Sequence, residues 1–543
     1  MSDAVDAIVV GAGINGLVAA AELAQAGWSV ALVDRNDEPG GFIASGEVTA
    51  PGYTHDTFSS WHPEFVTGGA YAVLGEALHG HGLRYLNAEG FVTGTVRRDG
   101  SAVLAHRDPQ QTVEQFADPA DRAAYLAMLR RIEQAIPSIG GLLGAELHSA
   151  QPLAHVARIA RSGGLRHGRE ELEGWLRDTV TSGRGWCRRE FSGDEVDALW
   201  TPWLLHSGLS PDHASGAVMI PLFAFTLHAA GLPIVEGGQA RFVAAFRALL
   251  DSHQAQVITG EPVERILVEG GRAVGVATAS RTLRATRAVI ASVAPEALYT
   301  ELLPAGAVGE PVRDAARHYR PGRAAMQIHV ALSAPPAWRD ARLADVPLLH
   351  LGEGAASTAI ACAEAEAGLL PREATVVVGQ QSVLDPGRVP DDAATLWIQL
   401  QEVPFRPLGD AAGEIPAEGA WTTGVTDAYV RRILDRIDAH APGLHDKVVA
   451  VRALTPEDLL ARNPNAIGGD PYGGAADLDQ RLLWRPFPQA ASHRTPVDGL
   501  WQIGAATHPG PGLSGASGHL VAQSLLAPSK ASALRKKLRR GRA

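Results

Sequence analysis

Apolar and polar positions alternate most regularly at the start of the chain. An apolar run ending in Ile8, Val9 and Val10 meets a cluster of glycines, and a helical stretch follows through Ala26. Gly27 stops that helix, and residues 28–34 (WSVALVD) form a second strand-like run, so residues 4–34 are predicted to be a βαβ unit. A second mixed unit begins at Gly237. It holds a helical stretch at 242–250, strand candidates at 255–259 and 263–268, a Gly270-Gly271 turn into 273–278, and a closing run at 288–292. Residues 91–215 read as helical and polar, with a loop-like Gly and Arg cluster at 162–168. Residues 300–490 alternate short strands, Pro-rich loops and a helix near 428–439. The last unit runs from a strand at 500–503 through a glycine-rich turn into a helix ending near Leu526. No internal repeat is found.

A chain of 543 residues exceeds one typical core, so two or more domains, or two interleaved ones, are expected. Hydrophobic residues make up 46%, charged residues 20% and aromatics 6%, with 59 glycines, which suits a globular α/β enzyme rather than a disordered or fibrous chain. The formal charge of −11 argues against nucleic-acid binding, because phosphate contacts call for a positive field. The exception is the end. Lys530, Arg535, Lys536, Lys537, Arg539, Arg540 and Arg542 lie there with no acid among them, which leaves the rest of the chain near −18. A solvated tail is the plain reading, and attraction to anionic lipid is the sharper one. Cys187 and Cys362 are too few for a disulfide framework and too far apart for a CxxC site, so a reducing, cytoplasmic setting is expected. The strand pattern begins within a few residues of Met1, which disfavours a signal peptide. The most apolar stretch, 217–227, is broken by Pro221 and falls short of the ~20 residues that cross a bilayer; it reads as a buried segment or a pocket wall.

Chemistry concentrates at Gly11-Ala12-Gly13-Ile14-Asn15-Gly16, a GxGxxG between a strand and a helix. Glycines suit this place because the tight turn, the approach of backbone to pyrophosphate and helix–strand packing leave no room for a Cβ, while free N–H groups at the helix start attract phosphate. Alone the motif is weak. Here Asp34 closes the second strand 18 residues beyond Gly16, where a carboxylate can accept hydrogen bonds from ribose hydroxyls. The acid disfavours a 2′-phosphate and so excludes NADP, leaving NAD and FAD. A second glycine-rich segment, 504–518 (GAATHPGPGLSGASG), precedes the last helix and lets a flat ring approach the backbone. A helix N-terminus at flavin N1 and O2 would stabilise the negative charge of the reduced ring.

The run Arg35-Asn36-Asp37-Glu38-Pro39-Gly40-Gly41 resembles the extension of FAD-binding members of the glutathione-reductase-like superfamily, which NAD sites lack. Taken with Gly237-Gly238, Ala294-Pro295, Asn463-Pro464-Asn465, Gly468-Gly469-Asp470, His493-Arg494-Thr495-Pro496 and the 504–518 segment, the chain resembles the phytoene desaturase-like FAD-dependent oxidoreductases over nearly its full length. That group includes carotenoid desaturases, carotenoid isomerases and retinol saturases.

The resemblance implies an α/β fold: a glutathione-reductase-like, FAD-binding Rossmann domain interleaved with an α+β substrate domain. The FAD domain would take residues 1–90, 231–300 and 491–526, the substrate domain 91–230 and 301–490, and the basic tail 527–543. FAD, held non-covalently, is the expected cofactor, and no metal is expected. By the resemblance, Arg35, Gly40, Gly41 and Phe42 pass along the cofactor, the Val263 backbone faces the adenine, and Gly504, Leu513, Ser514 and Ala516 line the flavin. His508 lies beside the ring in the same reading, to position substrate or move a proton, although a histidine with a structural role alone fits too. His55, Asp56 and His62 resemble a flavin-proximal loop.

The implied activity is desaturation, oxidation or isomerisation of a largely apolar organic substrate, conjugated or not, by hydride transfer to flavin N5. Flavin amine oxidation is the alternative. Those related enzymes commonly place a lysine near N5, whereas the only lysine before the tail is Lys447. A non-enzymatic FAD-binding protein is a third possibility, with peripheral membrane contact through the tail.

Overall fold

The computed structural model describes residues 4–149, 157 and 165–527. Two seven-stranded sheets organise it. The first has at its centre the strand Ala4–Val10, which pairs in parallel with Val30–Val33 on one side and with Thr282–Ala291 on the other. Gln256–Ile258 extends the sheet beyond Val30–Val33, and Leu500–Gln502 pairs in parallel with Thr282–Ala291. An antiparallel meander, Val263–Glu269 and Arg272–Thr278, completes it through the turn at Gly270 and Gly271, both in the left-handed region. Strands distant in sequence share one sheet because each supplies a short apolar run that only parallel neighbours and covering helices can bury. Val9 and Val30 pack against the helix Ile14–Gln25 on one face, while Ile8, Val10 and Val33 face a separate cluster on the other.

The second sheet runs Val448–Leu454, Ala324–Leu332, Ala394–Val403, Val376–Gly379, Leu348–Leu351, Phe91–Val96 and Ala102–His106. It is antiparallel except where Leu348–Leu351 meets Phe91–Val96. One face packs Met326, Ile328, Leu396 and Ile398 with Tyr429, Ile433 and Ile437 of the helix Thr423–Asp438. The other packs Val377, Leu348 and Trp397 with the helical segment that contains Trp200, Trp203 and Ile220.

Two expectations are corrected. The region from residue 91 does not open as a helix: Phe91–Val96 and Ala102–His106 are a hairpin closed by a turn with Gly100 at φ 87°. Its signal was an Asp-Gly pair between two β-branched runs, which is a hairpin signature. The loop expected at 162–168 is helical from residue 165 onward, in Leu165–Val180, and residues 162–164 lie outside the described residues. The apolar stretch at 217–227 forms the helix Gly216–Ala230 with Pro221 inside it. Among the described residues no helix is long and apolar enough to cross a membrane.

Candidate flavin site

The helix Ile14–Gln25 starts at Gly13, whose backbone is extended and which has no side chain to cap it. A Cβ on Gly13 would meet nothing within 4 Å, so open space lies over an uncapped helix N-terminus, where phosphate binds best. Gly11 and Gly16 are required for the opposite reason. At φ 94°, a Cβ on Gly11 would lie 2.9 Å from the Ser292 carbonyl oxygen, and one on Gly16 would overlap the Gly11 carbonyl.

Gly40 and Gly41 lie directly on this turn. The Gly40 N–H donates to the Ala12 carbonyl at 2.8 Å, and a Cβ on Gly41 would come within 3.3 Å of the Gly13 Cα. The neighbouring Phe42 stacks at a tilt on Phe58, with centroids 4.9 Å apart, and Arg35 is exposed. Asp34 is buried and accepts the Ala12 N–H at 2.6 Å on Oδ2 and the Asn36 N–H at 2.8 Å on Oδ1. Each oxygen keeps a lone pair for a ribose hydroxyl. Val263 begins its strand two residues beyond Glu261, whose N–H donates to the Asp34 carbonyl at 2.9 Å.

The C-terminal glycine segment closes over the same turn. Gly515, at φ 66°, has its Cα against Val18 and Ile14, and the Gly518 N–H donates to Asn15 Oδ1 at 3.2 Å. The helices Ile14–Gln25 and Ala516–Leu526 therefore converge at their N-termini, and Glu22 pins them further along through His519 at 2.6 Å and Gln523 at 2.7 Å. Gly504 donates its N–H to Ser517 Oγ at 3.1 Å and faces Ser292, the residue that Gly11 also touches. Leu513 and Ser514 are half-buried at the entry to the last helix, where Ser514 Oγ accepts the Ala516 N–H at 3.2 Å. The 40–41 loop, Asp34 and the 504–518 segment thus each contact the glycine turn or the helix that it opens. A cradle of bare backbone with two helix N-termini fits a dinucleotide carrying a flat ring.

His508 is held differently from a free acid or base. Its Nε2 donates to the Leu142 and Leu143 carbonyls at 3.2 and 3.1 Å, at the end of the helix Pro119–Leu143. Burial pushes the imidazole down to about 4, so the ring is neutral at physiological pH with its proton assigned to Nε2. His493 lies behind it, donating from Nδ1 to Glu146 Oε2 at 2.8 Å and from Nε2 to the His508 carbonyl at 2.8 Å. In the early loop, His55 and His62 are buried and pushed down to about 3, and Asp56 is ion-paired to Arg388 at 2.8 Å.

Sequence reasoning singled out several motifs without their tasks. Asn465 bridges the residues just beyond the strand Thr282–Ala291, accepting the Ala294 N–H at 2.7 Å and donating to the Ser292 carbonyl at 3.0 Å. Asp470 accepts the N–H groups of Gly322, Tyr472 and Gly474, which sets Gly473 against Ala505 of the 504–518 segment. Glu64 gave no signal. It lies on the short helix Pro63–Val66 with its carboxyl against Gly512, and only spatial proximity reveals it.

The signature of the family described as flavin containing amine oxidoreductase matches residues 14–381. A rat relative, pyridine nucleotide-disulfide oxidoreductase domain-containing protein 2, is 26% identical over 96% of this chain and 94% of its own length. Hydroxyneurosporene desaturase of Cereibacter sphaeroides is 27% identical over 96% of this chain and 97% of its own. Among solved structures, wild-type putrescine oxidase bound to putrescine has a TM-score of 0.60 at 18% identity, covering 97% of this chain and 99% of its own. The likeness to the desaturases supports the phytoene desaturase-like resemblance, and the solved fold is that of FAD-binding oxidoreductases. With the family's signature running from the first helix through the central meander into the second sheet, the chain belongs to the flavin containing amine oxidoreductases and is an FAD-dependent enzyme.

Proposed function

We propose that this enzyme uses FAD to desaturate, oxidise or isomerise a largely apolar organic substrate at carbon–carbon bonds. The observation that carries the reading is the helix Gly216–Ala230. Its 15 residues include no Asp, Glu, Lys or Arg, and Val218, Met219, Leu222 and Phe225 remain only half-buried on it. The helix packs against Pro63–Val66, which carries Glu64 and so reaches the flavin-facing loop. An apolar wall at that place favours a substrate without charge, because a charged one would lose hydration with no partner on the helix.

The bound flavin would supply the chemistry by accepting hydride at N5. The protein's part is placement: Gly13, Gly40, Gly41 and the Asp34 carboxylate hold the dinucleotide, and Gly504 with residues 513–516 line the ring. His508 acts as a positioning residue, tying the flavin-facing turn to the substrate-side helix Pro119–Leu143.

Amine oxidation is the second reading, favoured by the family's description and by the likeness to putrescine oxidase. Against it, Lys447 donates from Nζ to the Pro335 carbonyl at 2.7 Å in an exposed position. Anaerobic mixing with a panel of apolar polyenes and terpenes is expected to bleach the flavin, and primary amines are not. Rapid peroxide formation with amines and no bleaching by hydrocarbons would reverse the ranking.

Attraction of the basic tail to anionic membranes, in a cytoplasmic protein, completes the proposal. Residues 528–543 of the tail lie outside the described residues. Flotation with anionic vesicles is expected to weaken on its deletion.

A further inference from the structure

Glu64 is a partly buried carboxylate on Pro63–Val66, between the apolar helix and the flavin-facing loop. Gly512 sits at φ 127°, and a Cβ there would overlap the Glu64 carboxyl, so the loop leaves this group room by having no side chain opposite it. The next residue, Leu513, favours the ionised form through its backbone N–H. Gly68, just beyond the helix, is equally tight against the chain, with a Cβ position 2.9 Å from the Glu64 carbonyl and 3.7 Å from that of Ser514.

Among the described residues no counter-ion accompanies Glu64. Of the titratable groups on the surrounding elements, His62 bonds Tyr85 and Tyr71 bonds His79, while His228 bonds Tyr125 and His519 bonds Glu22. His508 is spent on Leu142 and Leu143, and Glu76, Arg241, Arg247 and Asp251 are exposed. Burial without a cation therefore pushes the carboxyl up to about 7, against which the Leu513 N–H acts only in part. Such a group exchanges a proton near neutrality when charge appears beside it.

We propose that Glu64 is a catalytic carboxylate of the flavin site, taking up the proton released when substrate reduces the bound FAD. Oxidation of a saturated carbon pair breaks two C–H bonds and forms one C=C bond. One hydrogen leaves with both electrons as hydride to the flavin, and the other leaves as a proton that converts the Glu64 carboxylate to the acid. When a two-electron acceptor, dioxygen or a quinone, reoxidises the ring, the Glu64 proton and the ring's own proton both depart, to solvent or to the reduced acceptor. Neutralising Glu64 also removes a like charge from beside the anionic reduced ring. The assignment rests on the reading that residues 513–516 line the flavin.

The test is the midpoint potential of the FAD-loaded protein against pH, which needs no substrate. Each proton taken up with two electrons lowers the potential by about 30 mV per pH unit. Above pH 7, where Glu64 is ionised before reduction, wild type is expected to fall by about twice that, with one proton on the ring and one on Glu64. The E64Q variant should fall by about 30 mV, and E64D should recover the steeper slope. Equal slopes in wild type and E64Q would overturn the proposal. If E64Q fails to hold FAD, infrared difference spectra of photoreduced wild type decide: a new protonated-carboxyl band supports the assignment and its absence removes it. A wild-type protein that takes up no FAD overturns the placement of the flavin itself, and its lack of colour distinguishes that result.

Discussion

The residues that matter most at the candidate site do their work by being small or by holding still. Gly16 shows the first case. Its Cα packs so close to the Gly11 carbonyl that any side chain must push the first helix away from the glycine turn at its start. The substitution Gly16→Ala is therefore expected to weaken FAD binding at least tenfold, about 1.4 kcal/mol or more, read from the visible absorbance retained during dilution. Unchanged retention would show that the turn does not touch the cofactor. The second case is His508, which the resemblance placed beside the flavin. Its Nε2 is committed to two carbonyls, a contact invisible in sequence because Leu142 and Leu143 lie 366 and 365 residues away. Asp34 was legible because its partners are local, within the same βαβ unit. Glu64 was not, because its partner Gly512 arrives from the far end of the chain.

At the scale of elements, periodicity was readable where one apolar run makes one strand. The first βαβ unit and the central meander follow their sequence pattern to within a few residues. The hairpin of Phe91–Val96 and Ala102–His106 was lost among polar neighbours, since its strands gain their burial only against the second sheet and the helical segment behind it. Joints between elements were also hidden. Arg388 is buried and bonds Asp56 and Asp385 at 2.8 Å each, and it reaches the Val235 carbonyl at 2.5 Å. Asp385 also accepts the Gly237 N–H at 2.7 Å and Asp56 the Gln239 N–H at 2.9 Å, which pins the turn at Gly237 and Gly238, where φ of 73° and 97° calls for the glycine pair. Removing the cation leaves two buried acids unpaired. Arg388→Met is expected to destabilise the fold by about 3–5 kcal/mol, seen as a lower denaturant midpoint at unchanged slope. A change below about 1 kcal/mol would show that this cluster does not hold the joint.

At the scale of the whole molecule, the distribution of buried histidines sets the response to acid. Burial pushes His55, His62 and His206 down to about 3, and His228, His329 and His508 down to about 4, from an ordinary value of 6.5. The unfolded chain binds these protons and the folded chain does not, so stability is fully present above pH 6.5. It declines as pH falls from there toward the folded values, by up to about 1.4 kcal/mol per pH unit for each histidine. Thermal midpoints should therefore drop steeply between pH 6 and 4, and a flat profile there would contradict the buried, neutral assignment. Composition and charge foresaw an α/β enzyme but could not foresee this behaviour, because the charge state of a histidine depends on burial that only the assembled chain defines.

The central claim is that bare backbone from the start, the middle and the end of the chain forms one non-covalent FAD site. Its most direct test is to denature the freshly purified protein and identify what it releases. The protein is expected to be yellow, to yield free FAD, one per chain, and to regain colour in its apo form on addition of FAD. A colourless protein that takes up no FAD, or a flavin that stays attached to the denatured chain, would contradict it.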